Sequence, residues 1–353
     1  MKIVQVLCII FILGSFLPAL DQPHWFFRTP DFIRLQTLAI QLVLLILLIY
    51  MGWRFSLFNW ILAIALAGTM TYQLAKVLPY SSLWKHQSGP PMGNPISILG
   101  ANVLQDNTNY QAFMDVVHQY NPDVVLVMET NQAWEDALTP LEQDYPHTVK
   151  IPLDNYYGMH LYSKRPLKNV EKAFQVEDDV PSIFCVVEGP YQVPIQLIGL
   201  HPAPPSPTEN DTSSERDAEL LLTGKRLQES GIPAVVFGDM NDVVWSRTTR
   251  LFKKMTDMMD PRVGRGFYPT YHAQYFFLRF PLDHLFHTPD LVVGKMERTP
   301  EFGSDHFAMY YEIHLAKGAP KPDPELEPEE EQEVDEIIEE GKEASKVKER
   351  EEE

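Results

Sequence analysis

Three stretches near the amino terminus carry no charged residue: 3–20, 35–53 and 55–75, bounded by Lys2, Asp21, Arg34, Arg54 and Lys76. Runs of 18, 19 and 21 residues each match one helical crossing of a hydrocarbon layer about 30 Å thick. A helix buried in a soluble core rarely needs so long an apolar run. Three in succession predict a membrane region over residues 1–80 with about three transmembrane helices, hence a multi-pass membrane protein. The first run also has the make-up of a secretory leader, with Lys2 as its basic start and small residues near "LPAL". Three crossings from a cytoplasmic start, or a cleaved leader and two crossings, both bring the chain after Tyr80 out on the exoplasmic (periplasmic) side. The flanking cations do not choose an orientation, since Lys2 and Arg54 would lie inside and Arg28 and Arg34 outside. A reporter fused after Lys317 that works only in the cytoplasm would overturn the exoplasmic placement.

Beyond the membrane region the chain is acidic. Residues 90–318 hold 18 Lys/Arg against 30 Asp/Glu, and the segment from Ala319 holds 5 against 16. Proteins that grip long nucleic acid usually show a basic stripe, because phosphate contacts supply most of the affinity; neither segment has one. The two cysteines, Cys8 and Cys185, can build neither a disulfide framework nor a cysteine metal site. Residues 81–94 read as a linker, and 319–353 as an acidic, solvated, disordered tail with at most a fragile charged helix.

Between them, residues 95–318 alternate strand-like runs ("PISILGANV", "PDVVLVMET", "SIFCVVEG", "VPIQLIGLH", "IPAVVFGDM") with helix-like ones ("YQAFMDVVHQY", "SRTTRLFKKM"). A further helix is expected over Ser213–Ser230, with Thr212 and Glu215 spaced as a capping box. Short apolar β-rich runs interleaved with helices predict an α/β sandwich.

Polar residues recur where these strands end: Asn102, Glu129, His201, Asp239 with Asn241, Asp283 with His284, and Asp305 with His306. In "VVFGDMND" the acid and the amide stand two apart, so an extended chain would turn both to one face. Singly, each has an ordinary explanation as a cap, an Asx turn or a packing residue. One shared site accounts for all of them. Oxygen ligands from Glu and Asp suit Mg²⁺, which keeps several waters and takes few protein carboxylates. A histidine paired with an aspartate supplies an acid/base group or an oriented imidazolium. Together these make a set for phosphate-ester hydrolysis.

The fragments "ANV", "VVLVMET", "GMHLYSKRPL", "IGLHPAPP", "RDAEL", "VVFGDMND", "VVWS", "RFPLDHLF" and "GSDHFAM", in this order, resemble the endonuclease/exonuclease/phosphatase superfamily. That family includes pancreatic deoxyribonuclease, abasic-site endonucleases, neutral sphingomyelinases and inositol polyphosphate phosphatases. The chain looks most like its bacterial members that place a few membrane spans before the domain. The resemblance implies a four-layered α/β sandwich, two packed mixed β-sheets flanked by helices. It implies Glu129 as principal ligand of Mg²⁺ (or Mn²⁺), with Asn102 and Asp305 at or near the metal. Asp239 would orient or deprotonate the attacking water and Asn241 would help hold it. His201 and His306 would contact the non-bridging phosphate oxygens, with Asp283 fixing His306. Arg216 and Arg279 are candidate substrate contacts, against an alternative as structural ion pairs. Met128 and Thr130 flank the metal acid where many nucleases have a glutamine beside it, and His284 follows Asp283 where abasic-site enzymes usually have an aromatic residue. Both departures argue against abasic-site specificity.

The function expected is therefore a membrane-tethered, metal-dependent phosphodiesterase acting on a phosphate ester, a lipid head group among the candidates. A nuclease on DNA or RNA, or a phosphate-ligand sensor that keeps the fold without turnover, are the alternatives. A transporter is disfavoured because the apolar runs hold no acid or base for an ion path. The loops 202–214 and 262–279 are expected to shape the pocket.

Overall fold

The computed structural model describes all residues except Asp21, 52–55, 86–88, 318–324 and Glu353. By compactness the chain divides into Met1–His86 with Arg262–Phe267, and Gln87–Pro261 with Tyr268–Glu353. The first part of the loop read as pocket-shaping thus groups with the amino-terminal unit.

In that unit the uncharged runs form α1 (Lys2–Gly14), α3 (Arg34–Met51) and α4 (Leu57–Val77), with α2 (Trp25–Phe32) ahead of α3. Lys2–Ala19 and Leu57–Tyr80 are long and apolar enough to cross a membrane, and a third span results if α2 and α3, bent by 72°, count as one. Ile46, Ile61 and Ile64 are more than half exposed, as lipid-facing side chains would be. Between the helices the Gln73 amide donates to Gln41 Oε1 (2.8 Å) and the Gln41 amide to Ser15 Oγ (2.9 Å), all three side chains buried. Interhelical amide and hydroxyl bonds of this kind hold helices together where water is scarce.

The second unit is a sandwich of two mixed sheets. The first takes β1 (Pro91–Asn102), β2 (Val124–Met128), β3 (His147–Ile151), β4 (Met159–Ser163), β10 (Leu291–Arg298) and β11 (Met309–Ala316), in the order β10-β11-β1-β2-β4-β3. The second takes β5 (Lys168–Ala173), β6 (Ser182–Glu188), β7 (Pro194–Leu200), β8 (Ala234–Asp239) and β9 (Asp283–His287), in that order. Strand alternation explains the layering. Ile96, Ile98, Leu126, Leu197, Val235 and Phe237 turn inward and pack between the sheets. Leu99, Ala101, Val125 and Val127 turn outward onto Phe113 and Val117 of α5 (Tyr110–Tyr120) and Trp134 of α6 (Gln132–Leu138). On the second sheet's outer face, Phe252 of α8 (Arg247–Thr256) packs on Phe286 of β9. The four-layered α/β sandwich is present.

Each sheet contains one parallel pair, β1/β2 and β7/β8, and every other pairing is antiparallel. A parallel pair needs a crossover, supplied by α5 and by α7 (Ser214–Ser230). Both pairs therefore end in the same direction as their crossovers begin, and loops at such carboxyl ends are where α/β folds build sites.

Three expectations are corrected. The linker stops short of residue 94, because Pro91 and Met92 already pair with Ala316 and Leu315 of β11. The capping box does not form as read: Ser213 is the N-cap of α7, its hydroxyl donates to Asp217, and Thr212 reaches only the Glu215 carboxylate, at 3.3 Å. The tail is not wholly solvated, for Pro328–Glu352 form α9, packed on α7. Val334, Ile338, Gly341 and Ser345 recur on one helical face and the three with side chains are buried. Around this seam Lys225 pairs with Asp335 (2.8 Å), Lys254 with Glu330 (2.6 Å), Arg247 with Glu333 and Lys348 with Glu177 (2.9 Å). Charge content suggested solvation; the basic partners that offset it lie far away in sequence.

A Cβ at Gly341 would fall 2.4 Å from Ala218 Cβ and from Ser214 O, so the helices touch there because the residue is glycine. Gly341→Leu is expected to lift α9 off α7, cost about 2–3 kcal/mol and lower the thermal midpoint of the full chain by several degrees. An unchanged midpoint, with α9 equally resistant to proteolysis, would show that the packing contributes no stability.

Candidate active site

The carboxyl ends of the two parallel pairs supply four polar groups: Asn102 ends β1, Glu129 follows β2, His201 follows β7 and Asp239 ends β8. The antiparallel neighbours enter at the same level. Asp283, first residue of β9, pairs with Asp239, and Asp305 and His306 stand just ahead of β11.

The groups touch. Asn102 Nδ2 donates to Glu129 Oε1 (2.7 Å) and to Asp239 Oδ2 (3.1 Å), so one amide links the two sheets. The Gln105 backbone N–H donates to Glu129 Oε2 at 3.1 Å. His306 Nδ1 lies 2.8 Å from Asp283 Oδ2 and Nε2 lies 3.4 Å from Asp239 Oδ2. His201 Nε2 is 3.9 Å from that same Asp239 oxygen. Asn241 N–H donates to Asp239 Oδ1 (3.0 Å), and its side-chain amide donates to Pro202 O (3.1 Å), behind His201.

The backbone is specialised to achieve this. Gly238 has φ +143°, and a Cβ there would fall 2.0 Å from Leu200 O; glycine lets β8 run against β7, so that Asp239 reaches His201. Glu129 (φ +62°) and Asn241 (φ +48°) sit in the left-handed region. Non-glycine residues held there store strain of order 1–3 kcal/mol and tend to cluster at functional sites.

Burial and charge set the protonation states. Burial alone would push the His306 imidazolium down, but the Asp283 and Asp239 carboxylates overcome it and raise it to about 10. His201 goes the other way: burial lowers it to about 4, with only partial opposition from Asp239, so it is neutral near pH 7. Burial works against the Asp239 carboxylate, yet His306 and His201 hold it below the usual carboxylate range. Burial raises Asp283, against the pull of His306. Glu129 is pushed up to about 7 by burial, ahead of the opposing bonds from Asn102 and Gln105.

Among the described residues, atoms of Asp239, Asp283 and His306 all lie within 4.8 Å of one another, close enough to hold a metal by distance. Both nitrogens of His306 face carboxylates, however, and a ring kept doubly protonated offers a metal no lone pair. The donors that remain for a cation are Glu129 and Asp305, both partly open to solvent, with the Asn102 amide beside them. Asp305 opposes ionisation of Glu129, while the Asn102 and Gln105 bonds and the His306 charge favour it, and neighbouring acids of this kind are a setting a divalent ion suits.

All eight residues expected to form the catalytic and metal-binding set thus converge. The two arginines do not join them in the same way. Arg216 is buried, with its guanidinium 2.7 Å from Asp217 and 3.6 Å from Asp242 and donating to Asn241 O at 2.8 Å; it braces the Asn241 turn from behind. Arg279 donates to Ala273 O (2.6 Å) and lies over the Phe307 ring. Sequence reasoning missed four participants. Gln105 supplies its amide to Glu129, and the Ser304 hydroxyl donates to Asn102 O (2.8 Å). The Tyr157 and Tyr271 rings stand 5.4 and 4.9 Å from those of His201 and His306. Ser304 was findable as neighbour of the Asp305–His306 pair; the others carry no sequence signal.

A family model described as the endonuclease/exonuclease/phosphatase family matches residues 96–306. No curated protein sequence matches the chain significantly. Among solved structures, TDP2 from D. rerio complexed with a single-strand DNA product superposes with a TM-score of 0.54 at 17% identity, covering 62% of this chain and 99% of that one. The human nocturnin catalytic domain with a bound sulfate anion gives 0.51 at 16%, covering 64% and 97%. An endonuclease/exonuclease/phosphatase from Beutenbergia cavernae gives 0.51 at 16%, covering 64% and 73%. At such identity these likenesses speak for the fold.

Proposed function

The chain belongs to the endonuclease/exonuclease/phosphatase family, and from that premise we propose that it is a membrane-tethered, divalent-metal-dependent phosphodiesterase that directs in-line attack of water on phosphorus. One observation carries the reading: His306 sits between Asp283 and Asp239, while Asn102 joins Asp239 to Glu129. Imidazolium, water-orienting carboxylate and metal acid therefore share one small space.

Glu129 and Asp305 would hold Mg²⁺ (Mn²⁺ serving as well), with Asn102 at its edge. The bound ion would supply positive charge at a phosphate oxygen. Asp239, aimed by the Asn241 N–H and the Asn102 amide, orients water and accepts its proton as the phosphorus–oxygen bond to the leaving group breaks, the departing oxygen taking up a proton from solvent. His306 presents a positive N–H where negative charge grows on the non-bridging oxygens. His201, neutral, can offer a hydrogen bond without charge. Arg216 acts through the Asn241 turn, and Arg279 lies outside this set. The apolar amino-terminal helices support a membrane tether, and the acidic balance of residues 90–318 favours a lipid head group or a small phosphoester over duplex DNA.

The test is the detergent-solubilised full chain with Mg²⁺, offered a chromogenic phosphodiester, a phospholipid head group and DNA, with Glu129→Gln as control. Equal rates with and without Glu129 would reject the mechanism, and DNA as the preferred substrate would replace the phosphodiesterase reading with a nuclease. Because Glu129 is pushed up to about 7, a metal must displace its proton at lower pH. Mg²⁺ affinity measured by calorimetry is expected to weaken about tenfold per pH unit below pH 7 and to level off above it. A flat dependence in that range would remove Glu129 from the ligand set.

A further inference from the structure

The tip of one exposed element beside the site has no task in this chemistry. From Thr270 to Phe280 the chain doubles back on itself: the Thr270 and Tyr271 amides donate to Phe280 O (2.9 and 3.0 Å) and the His272 amide to Leu278 O (3.1 Å). Its tip is a single tight turn in which the Leu278 amide donates to Tyr275 O (3.0 Å). The four tip residues are apolar or aromatic and face outward: Tyr275 is 61% exposed, Phe276 72%, Phe277 82% and Leu278 53%. The other large exposed hydrophobics of this unit, such as Val170 and Tyr191, stand singly along the chain.

The arm is anchored at its base. The Ala273 amide donates to Asp305 O (2.6 Å), the Phe307 amide to Thr270 O (3.1 Å), and the Tyr271 ring lies against His306. The Arg279 guanidinium donates to Ala273 O and His272 O. Arg279 and Arg298 flank the Phe307 ring, 5.0 and 4.2 Å from its centroid. The exposed tip is therefore held out by bonds to residues adjoining the site, with cations at its foot.

We propose that Tyr275–Leu278 dips into the surface of a phospholipid bilayer, so that the catalytic groups work at the membrane surface. This rests on the membrane-tethered reading above. Four contiguous apolar residues backed by guanidinium groups have the composition of an interfacial anchor. Stacking of nucleic-acid bases fits less well. Phe276 and Phe277 meet edge to face at 78°, Leu278 offers no aromatic face, and the domain lacks the basic stripe a strand would follow.

The test uses the full chain in nanodiscs of phosphatidylcholine with a minority of phosphatidylglycerol. An environment-sensitive dye is placed at Phe276→Cys and, separately, at Phe277→Cys, with Val170→Cys on β5 as the comparison. Dye at the tip is expected to shift to the blue and to be quenched roughly twofold or more by lipids spin-labelled near the head group, while dye at residue 170 is not. The same result is expected in a Glu129→Gln background, so loss of the chemistry and loss of the contact are told apart. A chain that fails to enter nanodiscs is mixed with vesicles of the same lipids; quenching there supports the contact and its absence refutes it. Tip dye that stays water-like in nanodiscs, or that responds to a single-stranded oligonucleotide and not to lipid, overturns the proposal.

Discussion

Asp239→Asn is expected to lower kcat on a chromogenic phosphodiester by about three to four orders of magnitude, as loss of a positioned base does, with both sheets still folded. The carboxylate is the hub of the site: Asn102 and the Asn241 N–H donate to it, and both histidines approach the same oxygen. Asparagine nearly preserves the shape but can neither take a proton from water nor balance His306. Asp239 is held below the usual carboxylate range, so its contribution to stability is present above the unfolded carboxylate pKa and lost as pH falls through the lower folded value. Asp239→Asn should therefore remove part of the protein's acid sensitivity along with its activity. A variant with wild-type kcat would exclude Asp239 from the reaction. One that cannot be purified folded would leave Asp239→Glu, which keeps the charge and displaces it, as the variant to measure.

The second large effect concerns His306. His306→Ala is expected to cost about three orders of magnitude in kcat, in the range of losing one preorganised donor to the developing charge. Asp283→Asn should cost less but alter the pH profile in a way a packing defect would not. With His306 raised to about 10, the wild-type ring stays charged through neutral pH. Removing one of its two carboxylates lets burial pull the value down, so activity of the variant should fall as pH rises through the neutral range. Sign and window agree for stability. A histidine whose folded pKa is raised stabilises fully below its unfolded value near 6.5 and loses that contribution as pH climbs through about 10. The thermal midpoint of the wild type, and not of His306→Ala, should drop across that upper interval. Superimposable pH–rate profiles for wild type and Asp283→Asn would refute the role given to Asp283.

Most of this site was legible in the chain. The polar residues stand out because they interrupt or close apolar strands, where an unpartnered acid would be costly, and their order matches a family pattern. Arg216 was less legible: beside "GDMN" it reads equally as a substrate contact or a brace, and only its distances to Asp217 and Asp242 and its bond to Asn241 O favour the brace. The tail misled for a related reason. Its seam of Val334, Ile338, Gly341 and Ser345 is thin beside sixteen acids, and no local pattern names Lys225, Arg247 and Lys254 as their partners.

By itself the sequence determined the kinds of environment: three uncharged runs suited to lipid, alternating strands that must bury one face, and polar groups at strand ends. Those arise from local periodicity and hydration, which act over a few neighbouring residues. The tertiary structure alone decided which groups meet, because contacts such as Asn102 with Asp239, or α9 with α7, join residues more than a hundred positions apart. It also decided their charge. His201 and His306 are the same side chain, yet burial drives one to about 4, while the carboxylates packed against the other overcome burial and raise it to about 10.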